Sequence, residues 1–426
     1  MTDLPTEIWE MVIFHIHNDG VVEERRRAWL AACCLTCRSW LPRSRYYLYH
    51  DIVLGGSMDD DAACVTRFVH CLRAGRRNGA LIESLAFKGE GPKKPGIISS
   101  ALLLVGSLDA NFRSLSLGEL DMSCVHPSFF RSLAQFKSVR ELTCSVGERS
   151  TLKHYIQMLS SLPNISSLSL ITVEGDAEHH THETGRNEAI VRCSHQIGLH
   201  ALRIALGIFE ITGPKVMIPL LRWLVDSTAT PHNLRRLEIS SSVHESLEIL
   251  LTLNDVLKHC GSSIEDLKLH LYGDRYWPTS GMEMGAITFL SLQHMRSAEK
   301  DYFTDMTLEH NANLRSLSIG LILAHTTGWH QRLISTMDSP KLCFLRMRFI
   351  EPVSEMHPSD TVGLDKALCS LILKHPRLQV EAEIHDIQPP SPYYEISVVT
   401  WQELFPSALK TNAFSVVLAS DGAGQN

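Results

Sequence analysis

Long hydrophobic runs are missing from this sequence. The longest apolar stretches, such as Ala101 to Val105 and Ile218 to Leu221, are far shorter than the ~20 residues that a membrane-spanning helix requires. The N-terminus also lacks a basic segment followed by an apolar run and a small-residue cleavage site, which a secretory signal would show. These absences argue against a membrane or secreted protein, and we expect a cytoplasmic or nuclear one.

An excess of basic charge is missing as well. The chain has 47 acidic and 40 basic residues, a net charge of −7, so no global field attracts nucleic acid or an anionic membrane. Its 11 cysteines are scattered over 426 residues, which favours free thiols over a disulfide framework. We therefore expect protein partners, with no nucleic acid and no membrane among them.

The sequence also lacks the motifs of the common catalytic classes. The sequence contains no Gly-x-Ser-x-Gly elbow, Walker loop, dinucleotide fingerprint or His-Glu-x-x-His, and no spacing of Ser, His and Asp singles out a triad. We accordingly predict no catalytic residues, no cofactor and no enzyme activity.

What is present is a short apolar pattern that recurs from residue 80 onward, with hydrophobic residues at positions i, i+3 and i+5. Successive copies lie from 23 residues (264 to 287) to 36 residues (342 to 378) apart, near the ~20 to 29 of leucine-rich repeats. The last two positions alternate as in a β-strand, and the first lies where the chain turns into that strand. The copies are Ile82/Leu85/Phe87, Phe112/Leu115/Leu117, Val139/Leu142/Cys144, Ile165/Leu168/Leu170, Leu199/Leu202/Ile204, Leu234/Leu237/Ile239, Ile264/Leu267/Leu269, Ile287/Leu290/Leu292, Leu314/Leu317/Ile319, Leu342/Leu345/Met347 and the degenerate Leu378/Val380/Ala382.

Between these triplets the apolar spacing becomes helical, so each repeat reads as strand, loop and helix. We predict an α/β fold in which residues 55–385 form a leucine-rich-repeat-like solenoid with a parallel sheet on its concave side. Residues 386–418 are predicted to cap it, with a last strand from Tyr393 to Trp401, and residues 419–426 to be a disordered tail. A doubly wound α/β domain would instead show longer strands and a glycine-rich phosphate loop, and the sequence has neither.

The first residues predict two helices. One covers residues 3 to 16, with Asp3 as cap and Pro5 in the first turn. The second covers residues 28 to 41 and ends at Pro42. The expected apolar stripes are Leu4, Ile8, Val12 and Ile16, widened by Trp9 and Ile13, in the first helix, and Trp29, Cys33, Cys37 and Trp40 in the second.

The string Leu4-Pro5-x-Glu7-Ile8-Trp9-x-x-Val12-Ile13-x-x-Ile16, followed by Leu30, Leu35, Cys37-Arg38-x-Trp40 and Leu48-Tyr49-His50-Asp51-Ile52, resembles the fungal-type F-box family with a leucine-rich-repeat-like C-terminal domain. The resemblance implies that residues 1–54 are a three-helix module that binds the Skp-type adaptor of a cullin ubiquitin ligase, while the repeats bind a protein target. The chain departs from the family in the charged insert Val21 to Arg27 and in Trp9, where an aliphatic residue is common. The adaptor-binding residues that the resemblance implies are Leu4, Pro5, Ile8, Trp9, Val12, Leu35, Cys37 and Trp40.

An alternative interpretation is a repeat scaffold unconnected with ubiquitin, in which residues 1–54 only cap the array. The combination of a Leu-Pro-x-Glu start with a Cys-Arg-x-Trp end favours the docking module, since a cap has no reason to contain both.

Three further motifs have ordinary explanations. Cys34-x-x-Cys37 has no second pair at zinc-ligand spacing, so buried thiols are favoured over a metal or redox site. The segment Asp176 to Glu183 holds three histidines and three carboxylates, but a solvated loop insertion is favoured over a metal site. The run Arg25 to Arg27 follows two glutamates and is interpreted as a solvated helix start rather than a localisation signal.

Overall fold

The structure is a computed structural model. It describes residues 5–18, 23–55, 61–74, 81–88, 102, 105, 112–118, 122, 125–146, 151–172, 197–205, 214–226, 229–242, 247–272, 308–321, 329–349, 358–384 and 404–418. Two compact units divide the chain, one within residues 1–165 and the other within residues 166–420.

The first unit begins with three helices and continues with alternating strands and helices. Its helices are α1 (Thr6–Asn18), α2 (Glu23–Thr36), α3 (Leu41–His50), α4 (Asp61–Ala74), α5 (Ser128–Leu133) and α6 (Leu152–Ser161). Its strands are β1 (Asp51–Gly55), β2 (Ser84–Lys88), β3 (Ser114–Gly118) and β4 (Glu141–Val146).

The second unit repeats the same alternation. Its strands are β5 (Ser167–Thr172), β6 (Ala201–Ala205), β7 (Arg236–Ser242), β8 (Asp266–Tyr272), β9 (Ser316–Leu321), β10 (Phe344–Phe349), β11 (Gln379–Ile384) and β12 (Phe414–Leu418). Its helices are α7 (Pro214–Asp226), α8 (Thr230–Asn233), α9 (Leu247–Cys260), α10 (Trp329–Ser335) and α11 (Pro358–Lys374), with a 3₁₀ turn at Ala408–Lys410.

Within each unit the strands follow sequence order and pair in parallel, so the predicted α/β strand-helix solenoid is confirmed. Each predicted triplet in the described residues has its last two members buried in a strand and its first member buried just before it. The triplet Ile287/Leu290/Leu292 lies outside the described residues. The apolar rows therefore stack in register from strand to strand and form the interior of the array.

The entry to many of the strands is fixed by a backbone carbonyl of the preceding repeat. The carbonyl of Arg235, for example, accepts the N–H groups of Glu265 at 2.8 Å and Asp266 at 3.0 Å, and the carbonyl of Glu265 accepts those of Arg315 and Ser316. Because a shared acceptor aligns both residues, strands joined in this way start at the same level as their neighbours.

Two helix assignments made from the sequence are wrong. The second helix runs from Glu23 to Thr36 rather than from 28 to 41, and Pro42 lies in the first turn of α3 instead of ending a helix. Proline is accepted in a first turn because the N–H it lacks has no intrahelical acceptor there. The charged run Arg25 to Arg27 accordingly lies in the first half of α2, and the predicted module ends with β1, which pairs with β2.

The last described strand is β12, which pairs with β11. The predicted strand from Tyr393 to Trp401 and the tail 419–426 lie outside the described residues. Asp365 of α11, which is buried, accepts the N–H groups of Ser407 at 3.1 Å and Ala408 at 2.8 Å. This carboxylate anchors the segment that precedes β12 to the helix of the preceding repeat.

Candidate docking surface

The three-helix module of residues 5–50 has its own apolar core. Ile13 of α1, Leu30 and Cys33 of α2, and Tyr47 of α3 form one buried cluster. Ile16, Trp40, Tyr46 and Leu48 pack against this cluster and are partly buried. One residue or more from each helix meets at the cluster, so the three helices hold each other in place.

Exposed apolar side chains concentrate on this module. Of the eleven large hydrophobic side chains that are exposed among the described residues, six belong to α1 and α2. Surface apolar residues occur singly on most proteins, whereas a concentration of them marks an interaction site. The six are Ile8, Met11, Val12, Phe14, Trp29 and Leu35. We call them the docking surface.

The docking surface on α1 lies opposite the buried line of that helix. Ile8, Met11 and Val12 are spaced by three and four residues, so they share one side of the helix. Ile13, which is 1% exposed, lies on the other side with the partly buried Ile16. The helix therefore has two apolar sides, and the core of the module covers one of them.

The predicted residues Trp9 and Trp40 are brought together. Their ring centroids lie 4.4 Å apart with an interplanar angle of 46°, and both side chains are half-buried. Trp40 immediately precedes α3 and also packs against the apolar cluster. Both tryptophans thus contribute to the module's own packing, and each leaves part of its ring accessible.

Leu35 and Cys37 lie at the end of α2 and just beyond it. Leu35 is the most exposed of the six apolar side chains at 88%. The Cys37 side chain is exposed, and its Sγ lies 3.0 Å from the Ser39 hydroxyl, a hydrogen bond that lowers the pKa of the thiol. Pro5 is exposed and its carbonyl accepts the Ile8 N–H at 3.1 Å, while Leu4 lies outside the described residues.

Met11, Phe14 and Trp29 belong to the docking surface but were not among the predicted site residues. Ile8 and Val12 were predicted in the apolar stripe of the first helix and among the adaptor-binding residues, and both are exposed. Two overlapping apolar stripes in one helix were the available signal, because a single core can cover only one of them. Trp29 was expected to share an apolar stripe with Cys33 in the second helix, and of these two residues Cys33 is buried and Trp29 is exposed.

The base of the module is joined to the first strands by histidines and carboxylates. Nδ1 of His50 lies 3.0 Å from Asp51 and its Nε2 lies 3.4 Å from Glu83, which precedes β2. The His17 ring stacks on Tyr47 at 4.5 Å, and Arg43 donates to the Tyr47 hydroxyl at 2.6 Å. The ion pairs of His50 are partly exposed, whereas Tyr47 is buried in the apolar cluster.

The thiols of the module differ from one another. Cys37, expected to be a buried thiol, is exposed, whereas Cys33 is buried and Cys34 is half-buried. Burial raises the pKa values of Cys33 and Cys34, which disfavours the reactive thiolate. Among the described residues, no group of three His, Cys, Asp or Glu side chains is placed to hold a metal ion. The His-rich segment Asp176 to Glu183 lies outside the described residues.

No protein-family model matches the chain, and no curated protein matches it. Among solved structures, the chain is similar to one from the crystal structure of the Rad7 and Elc1 complex in yeast. That similarity covers 91% of each chain at 12% identity, with a TM-score of 0.35. None of the described helices is long and apolar enough to cross a bilayer.

Proposed function

We propose that this protein is a substrate-recognition subunit of a cullin ubiquitin ligase, acting in the cytoplasm or nucleus. The three-helix module binds a Skp-type adaptor through the docking surface, and the repeats bind a protein target. The chain acts as a receptor and not as a catalyst. The observation that carries the proposal is the concentration of exposed apolar side chains on a module whose sequence resembles an F-box.

The energetics of the docking surface support this role. Covering a large apolar side chain contributes about 1.5 to 3 kcal/mol. That range applies to a side chain that starts fully exposed. Leu35 is 88% exposed and the other five side chains of the docking surface are 39% to 56% exposed, so all six together exceed the lower estimates of ~4 kcal/mol for the cost of association. The anchors lie on helices that are already packed, so little further ordering opposes binding.

The repeats have the surface expected of a receptor for proteins. Charged side chains alternate with the buried rows along the strands of the second unit and form ion pairs between neighbouring strands, as Arg203 does with Glu238 at 3.1 Å. These charged residues can be substituted without disturbing the apolar interior. The surface of the array can therefore be specific for one protein target.

Titration of a purified Skp-type adaptor into the intact chain tests the proposal. We expect a one-to-one complex with a dissociation constant of roughly micromolar or below, the range that a few buried anchors support. A chain that begins at Asp51 is the control and should not bind, because it lacks all six apolar side chains. Absence of binding by the intact chain would refute the proposed function.

A helical cap is the second candidate, and the contacts of His50 with Asp51 and Glu83 favour it. The chain that begins at Asp51 separates the two, because it retains β1 and α4, which contacts β1. For a docking module we expect the rest of the chain to stay soluble, with its thermal midpoint lowered by less than about 5 °C. For a cap we expect aggregation or a far larger drop, measured by circular dichroism and light scattering.

A further inference from the structure

We propose that β8, β9 and β10 of the second unit bind a phosphate group in a slot between Lys268, Arg346 and Arg348, with Ser318 and Gly320 as its floor. This site is independent of adaptor binding, because all five residues lie in the other compact unit. We call these five residues the phosphate slot.

The floor of the slot is formed by β9, which has small residues on its polar face. In β9, Leu317 and Ile319 are buried in the apolar interior, and Ser316, Ser318 and Gly320 alternate with them. Successive side chains of a strand point to opposite faces. The three small residues therefore share the face that carries the charges on the neighbouring strands.

The strand register places cationic side chains of β8 and β10 on the two sides of β9, and these side chains form the walls of the slot. Ser318 pairs with Lys268 of β8 on one side and with Arg346 of β10 on the other, and Gly320 pairs with Arg348. Neighbouring strands lie about 4.8 Å apart, so the two walls begin roughly 10 Å apart across the floor. Long cationic side chains on both walls can reach one tetrahedral oxyanion above Ser318.

The carboxylates that pair with these cations lie on the far side of each wall. Glu238 belongs to β7, and Glu381 and Glu383 belong to β11, so none of the three lies on β9. Asp266, at the start of β8, is paired with Arg236 of β7 at 3.4 Å. Arg346 also lies 3.8 Å from Glu383 through its Nε. An arginine has five N–H donors, so donors remain after these contacts. The distances are 3.3 Å for Lys268–Glu238, 3.0 Å for Arg346–Glu381 and 2.8 Å for Arg348–Glu383.

Ser318 supplies the second, independent observation. Its side chain is 8% exposed, and its hydroxyl is buried with no hydrogen-bond partner. Most buried polar groups in folded proteins do have a partner, so an unpaired hydroxyl at the base of a cationic slot indicates a ligand. A phosphate oxygen above Ser318 would accept that hydrogen bond.

His270 and Gly320 complete the site. A Cβ on Gly320 would lie 3.3 Å from the His270 Cα and 3.5 Å from its Nδ1, so glycine permits the close approach of this histidine. The pKa of His270 is lowered to about 4. Burial is the main cause, the charges of Arg348 and Lys268 act in the same direction, and the carboxylates of Glu238 and Glu383 oppose them. The histidine is therefore neutral at pH 7 and adds no positive charge of its own to the slot.

A phosphate monoester matches this set of donors. It carries about −1.5 to −2 charges and three acceptor oxygens at neutral pH. Three cationic side chains and the Ser318 hydroxyl can donate to it. A carboxylate has one negative charge and two oxygens, so it would leave more of the donors unsatisfied.

Calorimetric titration of the intact chain with inorganic phosphate and with a blocked phosphoserine peptide tests the site, and the unphosphorylated peptide is the negative control. We expect both phosphate probes to bind and the control peptide not to bind. The variants Lys268→Gln and Arg346→Gln should each weaken binding about tenfold or more, the effect of losing one charge-assisted hydrogen bond. Arg113→Gln is the matched control, since it removes the same charge from an Arg–Glu pair of 3.2 Å in the other unit, and it should bind as the unaltered chain does.

Ser318→Ala separates binding from folding. Losing an unpaired buried hydroxyl should leave the thermal midpoint unchanged or raise it, while phosphate affinity falls about fivefold or more. Tighter binding of the peptide than of inorganic phosphate would identify a phosphorylated protein segment as the source, and equal affinities would identify a free phosphate ester. Failure of both probes to bind, or unaltered affinity in Lys268→Gln and Arg346→Gln, would overturn the proposal.

Discussion

Replacing Ile13 with aspartate should unfold the three-helix module and abolish adaptor binding. Ile13 is 1% exposed and lies in the cluster with Leu30, Cys33 and Tyr47. The substitution removes a large apolar side chain and puts a carboxyl group in its place, a loss of about 4 kcal/mol or more. A module of this size has little stability in reserve, so we expect the helices to separate.

Limited trypsin digestion measures this outcome. In the folded module Arg25, Arg26 and Arg27 lie in α2, where cleavage is slow, and in Ile13→Asp we expect rapid cleavage at the same bonds. Met11→Asp is the matched control, because Met11 lies on the same helix and is 56% exposed. It should keep the slow digestion of the unaltered chain. Equal resistance of both variants to trypsin would mean that the cluster does not hold the module together.

Replacing Phe349 with alanine should cause the largest loss of stability in the second unit. Phe349 is fully buried at the end of β10, and its ring centroid lies 5.9 Å from that of Phe405. Phe405 in turn stacks on Phe414 of β12 at 5.7 Å. Truncation of a buried phenylalanine typically costs about 3 to 5 kcal/mol, because the surroundings do not fill the cavity.

Thermal unfolding followed by circular dichroism checks this prediction. We expect the midpoint of the second unit to fall by roughly 10 °C in Phe349→Ala. Phe344→Ala is the control in the same strand, because Phe344 is half-buried on the polar face, where the guanidinium of Arg346 lies 5.3 Å from its ring. It should lower the midpoint by less than half as much. A larger drop of the midpoint in Phe344→Ala than in Phe349→Ala would mean that the apolar interior lies on the other face of the sheet.

The strands were predictable from the sequence because their signal is local. In a triplet such as Leu314/Leu317/Ile319, the last two residues alternate in the strand and the first lies at the turn into it. Stacked repeats place every copy in the same environment, so one copy predicts the others. The strands β1 and β12 lie outside the triplets and were not predicted. The pattern does not extend to the ends of the array.

The ends of α2 and the start of α3 were not predictable in the same way. Pro42 ends a helix or begins one equally well. Cys37 and Trp40 match helical spacing, although α2 ends at Thr36 and α3 begins at Leu41, so both lie between the two helices. α1 has two apolar sides, and the sequence does not show which of them is buried. That depends on where Leu30 and Tyr47 of the other helices lie.

The phosphate slot could not be predicted because its residues are distant in sequence. Lys268 and Ser318 are direct partners in the sheet, yet a long segment separates them in the chain. Only the register of β8, β9 and β10 brings them together with Arg346. A lysine, a serine and an arginine at these separations form no motif.

The measurement that tests the central claim most directly compares adaptor binding by Leu35→Asp and Leu373→Asp in the intact chain. Leu35 on α2 is 88% exposed and Leu373 on α11 is 82% exposed, so the two substitutions are chemically equivalent and neither disturbs a core. If the docking surface binds the adaptor, Leu35→Asp should weaken the complex about tenfold or more, and Leu373→Asp should leave its affinity unchanged. Equal affinities in the two variants and the unaltered chain would contradict the proposed role of the docking surface.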